Sequence, residues 1–209
     1  MIYSLLDLYK KNAGRVVIVG SGPTNLDYGV FRHIKDGVVI WMNDMVKYAE
    51  HCPCPDQLFV SHHLSKYKHQ IPQHVTTVYL QNRDIEVGDW SGRLRNRVEL
   101  TTPRFLVDTV GHNIITQDWM DQHEWLARSV EVVHGLTLMM FHGTITTALH
   151  LAFLAGPCTL ELIGCNPHTT KDDHDIRIGG RMLYEPDKVR LNQINIMKWL
   201  DLQPRYLGD

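Results

Sequence analysis

Arg15-Val16-Val17-Ile18-Val19-Gly20-Ser21-Gly22-Pro23-Thr24-Asn25 is the stretch that decides the fold. Residues 16 to 19 are all valine or isoleucine, with no polar alternation. That pattern belongs to a strand covered on both faces, as in a parallel sheet. Gly20 and Gly22 follow at once, and the spacing predicts a helix starting near Pro23 with Ser21 or Thr24 as its cap. Strand, glycine turn and helix N-terminus together present backbone N–H groups and a positive dipole end, which suits a phosphate. The alternative is a tight strand-to-helix turn with no ligand. Asn25 stands where the dinucleotide fingerprint has its third Gly or Ala, so a plain NAD site is disfavoured.

Working outward, residues 2 to 12 carry Ile2, Leu5, Leu6 and Leu8, then Lys10-Lys11-Asn12 before Gly14. This predicts a short amphipathic helix with a basic last turn and a glycine stop. A helix is expected over 26–34. Val38-Val39-Ile40-Trp41-Met42 reads as a second buried strand, Leu58-Phe59-Val60 as a third and Thr76-Thr77-Val78-Tyr79-Leu80 as a fourth. Ligands of open α/β sheets sit just past the carboxyl ends of strands. Asn43 and Asp44 hold that place after the second strand, and Ser61 after the third. An amide there can read a sugar hydroxyl or a base edge, whereas a plain Asn-Asp turn is the alternative.

The later part of the chain returns to a regular pattern. Gly143-Thr144 opens an Ala-, Leu- and Thr-rich helix that stops at Gly156. Thr159-Leu160-Glu161-Leu162-Ile163 is a strand ending in Gly164-Cys165-Asn166-Pro167-His168, and Glu185-Pro186 opens a last helix to about Leu202. Residues 83–135 are the least regular stretch and read as an irregular, lid-like insertion over the sheet edge. In it Arg93, Arg95 and Arg97 alternate. They are a solvated surface or a contact for an anionic acceptor. The expected class is therefore α/β. A Rossmann-like parallel sheet would be sandwiched between helices in one domain spanning 1–209.

Composition narrows the function classes. A chain of 209 residues can bury a substantial core, and 44% hydrophobic with 21% charged residues is ordinary for a globular domain. A net charge of −2 does not mark a general nucleic-acid binder. No apolar run reaches a membrane span, and the first residues do not resemble a secretory signal. Four cysteines without framework spacing point to reduced thiols and a cytoplasmic protein. His51-Cys52-Pro53-Cys54, with His62 and His63 downstream, departs from the usual Cys-x₂₋₄-Cys zinc knuckle. No metal site is expected there.

Three pieces in order carry a resemblance: Ile18 to Thr24, then Trp41-Met42-Asn43-Asp44, then Gly143-Thr144 with its helix, Gly156 and Leu162 to Asn166. Together they resemble bacterial CMP-sialic-acid-dependent sialyltransferases and the pterin-diphosphokinase-like proteins that share their fold. The resemblance covers roughly 1–82 and 139–200. It implies a glycosyltransferase-like enzyme that takes a nucleotide or nucleotide sugar as donor and needs no metal or other cofactor. On that resemblance Gly20, Ser21, Gly22, Pro23 and Thr24 would line the phosphate, with Asn166 beside them. Asn43 and Ser61 would meet ribose and phosphate, and Gly143 and Thr144 the base, while Asp44 joins the nucleotide-binding candidates by its place after the second strand.

His168 and His174 fall where the sialyltransferases place two tyrosines that stabilise the leaving phosphate, and an imidazole can donate a hydrogen bond there or move a proton. Asn166 stands where that family usually has Asp. The segment that holds the family's general base carries Arg181, Tyr184 and Lys188 here. Arg93, Arg95, Arg181 and Tyr184 are the candidates for contacts to an acceptor or phosphate. The acceptor itself is unknown, with nucleic acid kept open by the arginines, and a homo-oligomer also stays open. Two alternatives belong beside this one. The first is pyrophosphoryl transfer from ATP to a small alcohol such as a pterin, which needs Mg²⁺ and carboxylates such as Asp44, Asp172, Asp173 and Asp175. The second is a nucleotide-binding module without catalysis.

Overall fold

Val16 to Val19 have no solvent exposure because packed layers cover both faces of their strand. The computed structural model describes residues 2, 5–22, 24–61, 67, 70–80, 104–108, 128–132, 137–140, 144–168, 177–178, 181–182 and 186–208. Strands β1 (Arg15–Val19), β2 (Val38–Met42), β3 (Gln57–Ser61) and β4 (Thr76–Leu80) pair side by side in chain order, all parallel. The chain later returns to the other edge of β1 with β8 (Thr159–Ile163), and β11 (Pro204–Leu207) pairs beyond it, both parallel. Six parallel strands thus run β11-β8-β1-β2-β3-β4. The order reverses between β1 and β8. This is the α/β, Rossmann-like architecture that the apolar runs imply.

Alternate residues of the central strands feed two separate cores. Val16, Ile18, Val38 and Ile40 meet Leu8 of α1 (Leu5–Lys11), Ala148 and Leu151 of α2 (Thr144–Ala155), and Ile196 of α3 (Pro186–Trp199). Val17, Val19, Val39 and Trp41 meet Phe31 of the 3₁₀ segment Tyr28–His33, and Val46 and Ala49 of a second one, Asn43–His51. Helix α2 has no charged residue and ten of its twelve residues are buried, so it is a central helix rather than a surface one. The Gly156 stop expected for it is present, with φ +63° and its N–H donating to Phe153 O.

Several local expectations are corrected. The described residues after Pro23 do not begin a helix. Residues 24–27 are without regular structure, and the next element is the short 3₁₀ segment Tyr28–His33, capped by the Asp27 carboxylate on Gly29 N. Helix α1 ends one turn earlier than its glycine, at Asn12 in the left-handed region (φ 48°), a conformation asparagine tolerates. Two strands fall inside the stretch expected to be irregular cover. β5 (Arg104–Asp108) lies parallel beside β4 and β6 (Arg128–Val132) antiparallel beside β5, followed by β7 (Thr137–Met140). Those residues continue the sheet, and the rest of 83–135 lies outside the described residues. β11 and the short β9 (Arg177–Ile178) and β10 (Arg181–Met182) pair had no counterpart in the expectations. Among the described residues no helix is long and apolar enough to cross a membrane.

Candidate functional site

The carboxyl ends of β1, β2, β3 and β8 lie along one edge, which is where ligands of such sheets bind. The glycine turn after β1 occupies this edge in an unexpected direction. Gly20 N donates to Ile163 O at 2.8 Å, Gly22 N to Gly164 O at 2.9 Å, and Asn25 N to Gly208 O at 2.7 Å. Ile163 ends β8 and Gly208 follows β11, so residues 20–22 and 24–25 form a strap laid across the carboxyl ends of β8 and β11.

The glycines are small for the sake of this backbone contact. A Cβ on Gly22 would stand 2.6 Å from Gly164 O, and one on Gly164 (φ +59°) would overlap Gly20 O and lie 2.8 Å from Gly22 O. Two glycine loops are clasped backbone to backbone. The N–H groups of Gly20 and Gly22 are therefore spent on protein carbonyls rather than aimed at a ligand. Thr24 acts locally, its hydroxyl accepting from Leu26 N at 3.2 Å.

Asn43 and Ser61 are brought together as expected. Met42 and Val60 are in register on β2 and β3, so the next residues of both strands meet at the edge. Ser61 Oγ donates to Asn43 Oδ1 at 3.0 Å, and Ser61 is only 2% exposed. Asn43 takes φ +52°, which lets the chain turn from strand into the 3₁₀ segment. Asp44 is half exposed and stands 3.8 Å from Lys47 Nζ, a pairing that solvent weakens. Met42 lies under Gly20, which ties the Asn43 corner to the start of the strap.

Helix α2 points its N-terminus at the same edge. Its last residue is fixed at the amino edge, where Ala13 N donates to Ala155 O at 2.7 Å two residues before β1 begins. Twelve helical residues cover about 18 Å, and the five of β1 about 16 Å. Because α2 packs along β1, β2 and β3, Thr144 comes level with the strand ends.

His168 is not part of that group. It is exposed, its backbone N–H donates to Asn166 Oδ1 at 2.8 Å, and its ring meets Tyr206 of β11 edge-on at 6.2 Å. Asn166 thus caps its own turn. From β11 to β2 is three strand spacings, about 14 Å, with the strap in between. Asn43 and His168 thus stand at different strands of the same edge. Pro23, Gly143, His174, Arg93, Arg95 and Tyr184 lie outside the described residues, and Arg181 is described only as backbone of β10.

Other polar groups belong to the fold. The Cys52 and Cys54 thiols are buried and donate to the carbonyls of Ile34 and Gly37, while both cysteine carbonyls accept from Gln57 Nε2. Burial pushes the Cys52 thiol up to about 11 and raises Cys54 as well, which keeps both protonated. Burial alone would raise the Asp56 carboxyl, but the Lys11 ammonium and the N-terminal ammonium together hold the group below its ordinary value. His150 in the middle of α2 is lowered to about 4 by burial and is neutral. Among the described residues no three His, Cys, Asp or Glu groups gather as a metal site.

Residues the sequence did not mark are Gly208 and Gln193. Gly208 (φ +83°) lets Thr24 and Leu26 close against β11, and Gln193 Nε2 holds Cys165 O at 2.6 Å. Only the positions of Gly208 after a strand and Gln193 on an amphipathic helix could have hinted at them. Comparison with protein-family models, with curated proteins and with solved structures finds no match to this chain.

Proposed function

We propose that the chain is a glycosyltransferase-like enzyme that binds a nucleotide-activated sugar at the carboxyl edge of its sheet, over β1, β2 and β3. The observation that supports it is the reversal of strand order between β1 and β8, beside the Asn43–Ser61 corner and the N-terminal end of α2. In doubly wound sheets a mononucleotide occupies such a crevice. With the Gly20 and Gly22 amides already bonded, the donor's phosphate rests on the Asn43 side and toward the first turn of α2, whose N–H groups and dipole favour an anion. The base and ribose then extend along the β2 and β3 ends. His168 serves as acid or base only for a substrate long enough to reach the β11 end of the edge.

A thermal-shift panel of ribonucleotides and nucleotide sugars tests the proposal. A ligand at 100 times its Kd raises stability by about 2.7 kcal/mol, which moves the melting temperature of a domain this size by several degrees. Stabilisation by at least one nucleotide sugar, and by its parent nucleotide, is expected. No shift with any of them at millimolar concentration would overturn the reading.

A further inference from the structure

The Asn43–Ser61 pair has a polarity. A serine hydroxyl has one hydrogen, and here it is given to Asn43 Oδ1. Ser61 is buried at the end of β3, one register step past Val60, so it is held by the sheet and cannot swing with Asn43. The carbonyl side of the amide is thereby turned inward. Its Nδ2 group, with two hydrogens, has no partner among the described residues and stands at the half-buried corner where β2 ends. The main chain at Asn43 is fixed too, since φ +52° follows directly from a fully buried strand.

We infer that Ser61 is a positioning residue that never touches the ligand, and that it makes Asn43 a donor-only contact for an acceptor-only group, an anionic phosphate oxygen. This rests on the nucleotide reading above and sharpens it. A hydroxyl of ribose could satisfy an amide in either orientation, whereas a phosphate oxygen can only accept. Fixing the amide beforehand removes the orientation in which its carbonyl oxygen would face the phosphate and repel it. It also removes part of the ordering cost of binding.

The decisive substitution is Asn43→Asp. Aspartate tolerates the left-handed backbone nearly as well and can still accept from Ser61, but it presents an anionic oxygen outward instead of an NH₂ group. Affinity for a nucleoside monophosphate should fall about 10- to 100-fold, while affinity for the corresponding nucleoside stays as in the parent protein. Ser61→Ala should weaken the monophosphate by about 3- to 10-fold. In ¹⁵N spectra of the unsubstituted protein, the Asn43 side-chain NH₂ pair should move when the four ribonucleoside monophosphates or inorganic pyrophosphate are added. Ser61→Ala should broaden or shift that pair before any ligand is present. If nucleotides bind without moving the pair, or bind Asn43→Asp as tightly as the parent, the polarity inference is overturned and the nucleotide reading stands. If none of these probes binds at all, both fall together.

Discussion

The clasp between Gly164 and the strap is the feature whose removal has the most calculable effect. In Gly164→Ala the new methyl meets two backbone oxygens, of Gly20 and Gly22, neither of which can rotate aside as a side chain would. Three contributions add. An alanine at φ +59° costs about 1–2 kcal/mol for its left-handed backbone. Forcing a methyl into a filled space costs about 1–3 kcal/mol. If the loops part to relieve the overlap, the bond from Gly22 N to Gly164 O is lost, at about 1 kcal/mol.

The total is about 3–6 kcal/mol, a large share of the roughly 5–15 kcal/mol that holds a typical domain. Urea unfolding followed by tryptophan fluorescence measures it directly, since Trp41 is fully buried and its indole N–H donates to Gln57. Gly14→Ala is the control, because nothing lies within 4 Å of a Cβ built there. It should change stability by less than about 1 kcal/mol. If Gly164→Ala costs no more than Gly14→Ala, the clasp is not holding the strap and the account of the glycines is wrong.

Two further outcomes follow from single side chains. His150 is 6% exposed and its folded value of about 4 lies below the ordinary 6.5, so between these limits the unfolded chain holds a proton that the native one does not. Stability should therefore fall as pH drops from about 6.5 to 4, by about 3 kcal/mol in all. His150→Gln should flatten that part of the curve, and an unchanged slope would remove His150 as its cause. His168→Ala should leave nucleotide affinity nearly unchanged and lower turnover by about 10²–10⁴-fold if the ring acts on the substrate, with His168→Tyr restoring part of it. Unaltered turnover would assign His168 to its contact with Tyr206 alone.

The parallel sheet was legible because its strands are buried on both faces and are written as unbroken apolar runs, as Val38 to Met42 shows. Helix α2 was legible for a related reason, since a charge-free run ending in glycine has few other solutions. The edge chemistry was half legible. Asn43 and Ser61 could be placed from strand ends alone, because parallel register carries adjacent strand termini to the same height. The role of Gly22 could not. A glycine needed for close approach looks the same in sequence whether a phosphate or another backbone comes close. Here the neighbour is Gly164, far away in the chain. For the same reason Gly22→Val does not report on ligand binding alone, since it would break the clasp first.

The strap also restricts the direction from which a ligand can arrive. By bonding to Ile163, Gly164 and Gly208 it lies over the β8 and β11 ends and, among the described residues, makes no such bond to the ends of β2 and β3. The Asn43–Ser61 corner lies on the β2 and β3 side of the strap, while His168 stands beside Tyr206 of β11 on the other. A reaction that uses both needs a substrate lying over the strap itself. Such a substrate would lie against half-buried Ser21 and Thr24, and the Thr24 hydroxyl is already engaged by Leu26 N. The glycines, held backbone to backbone, set the height of that floor.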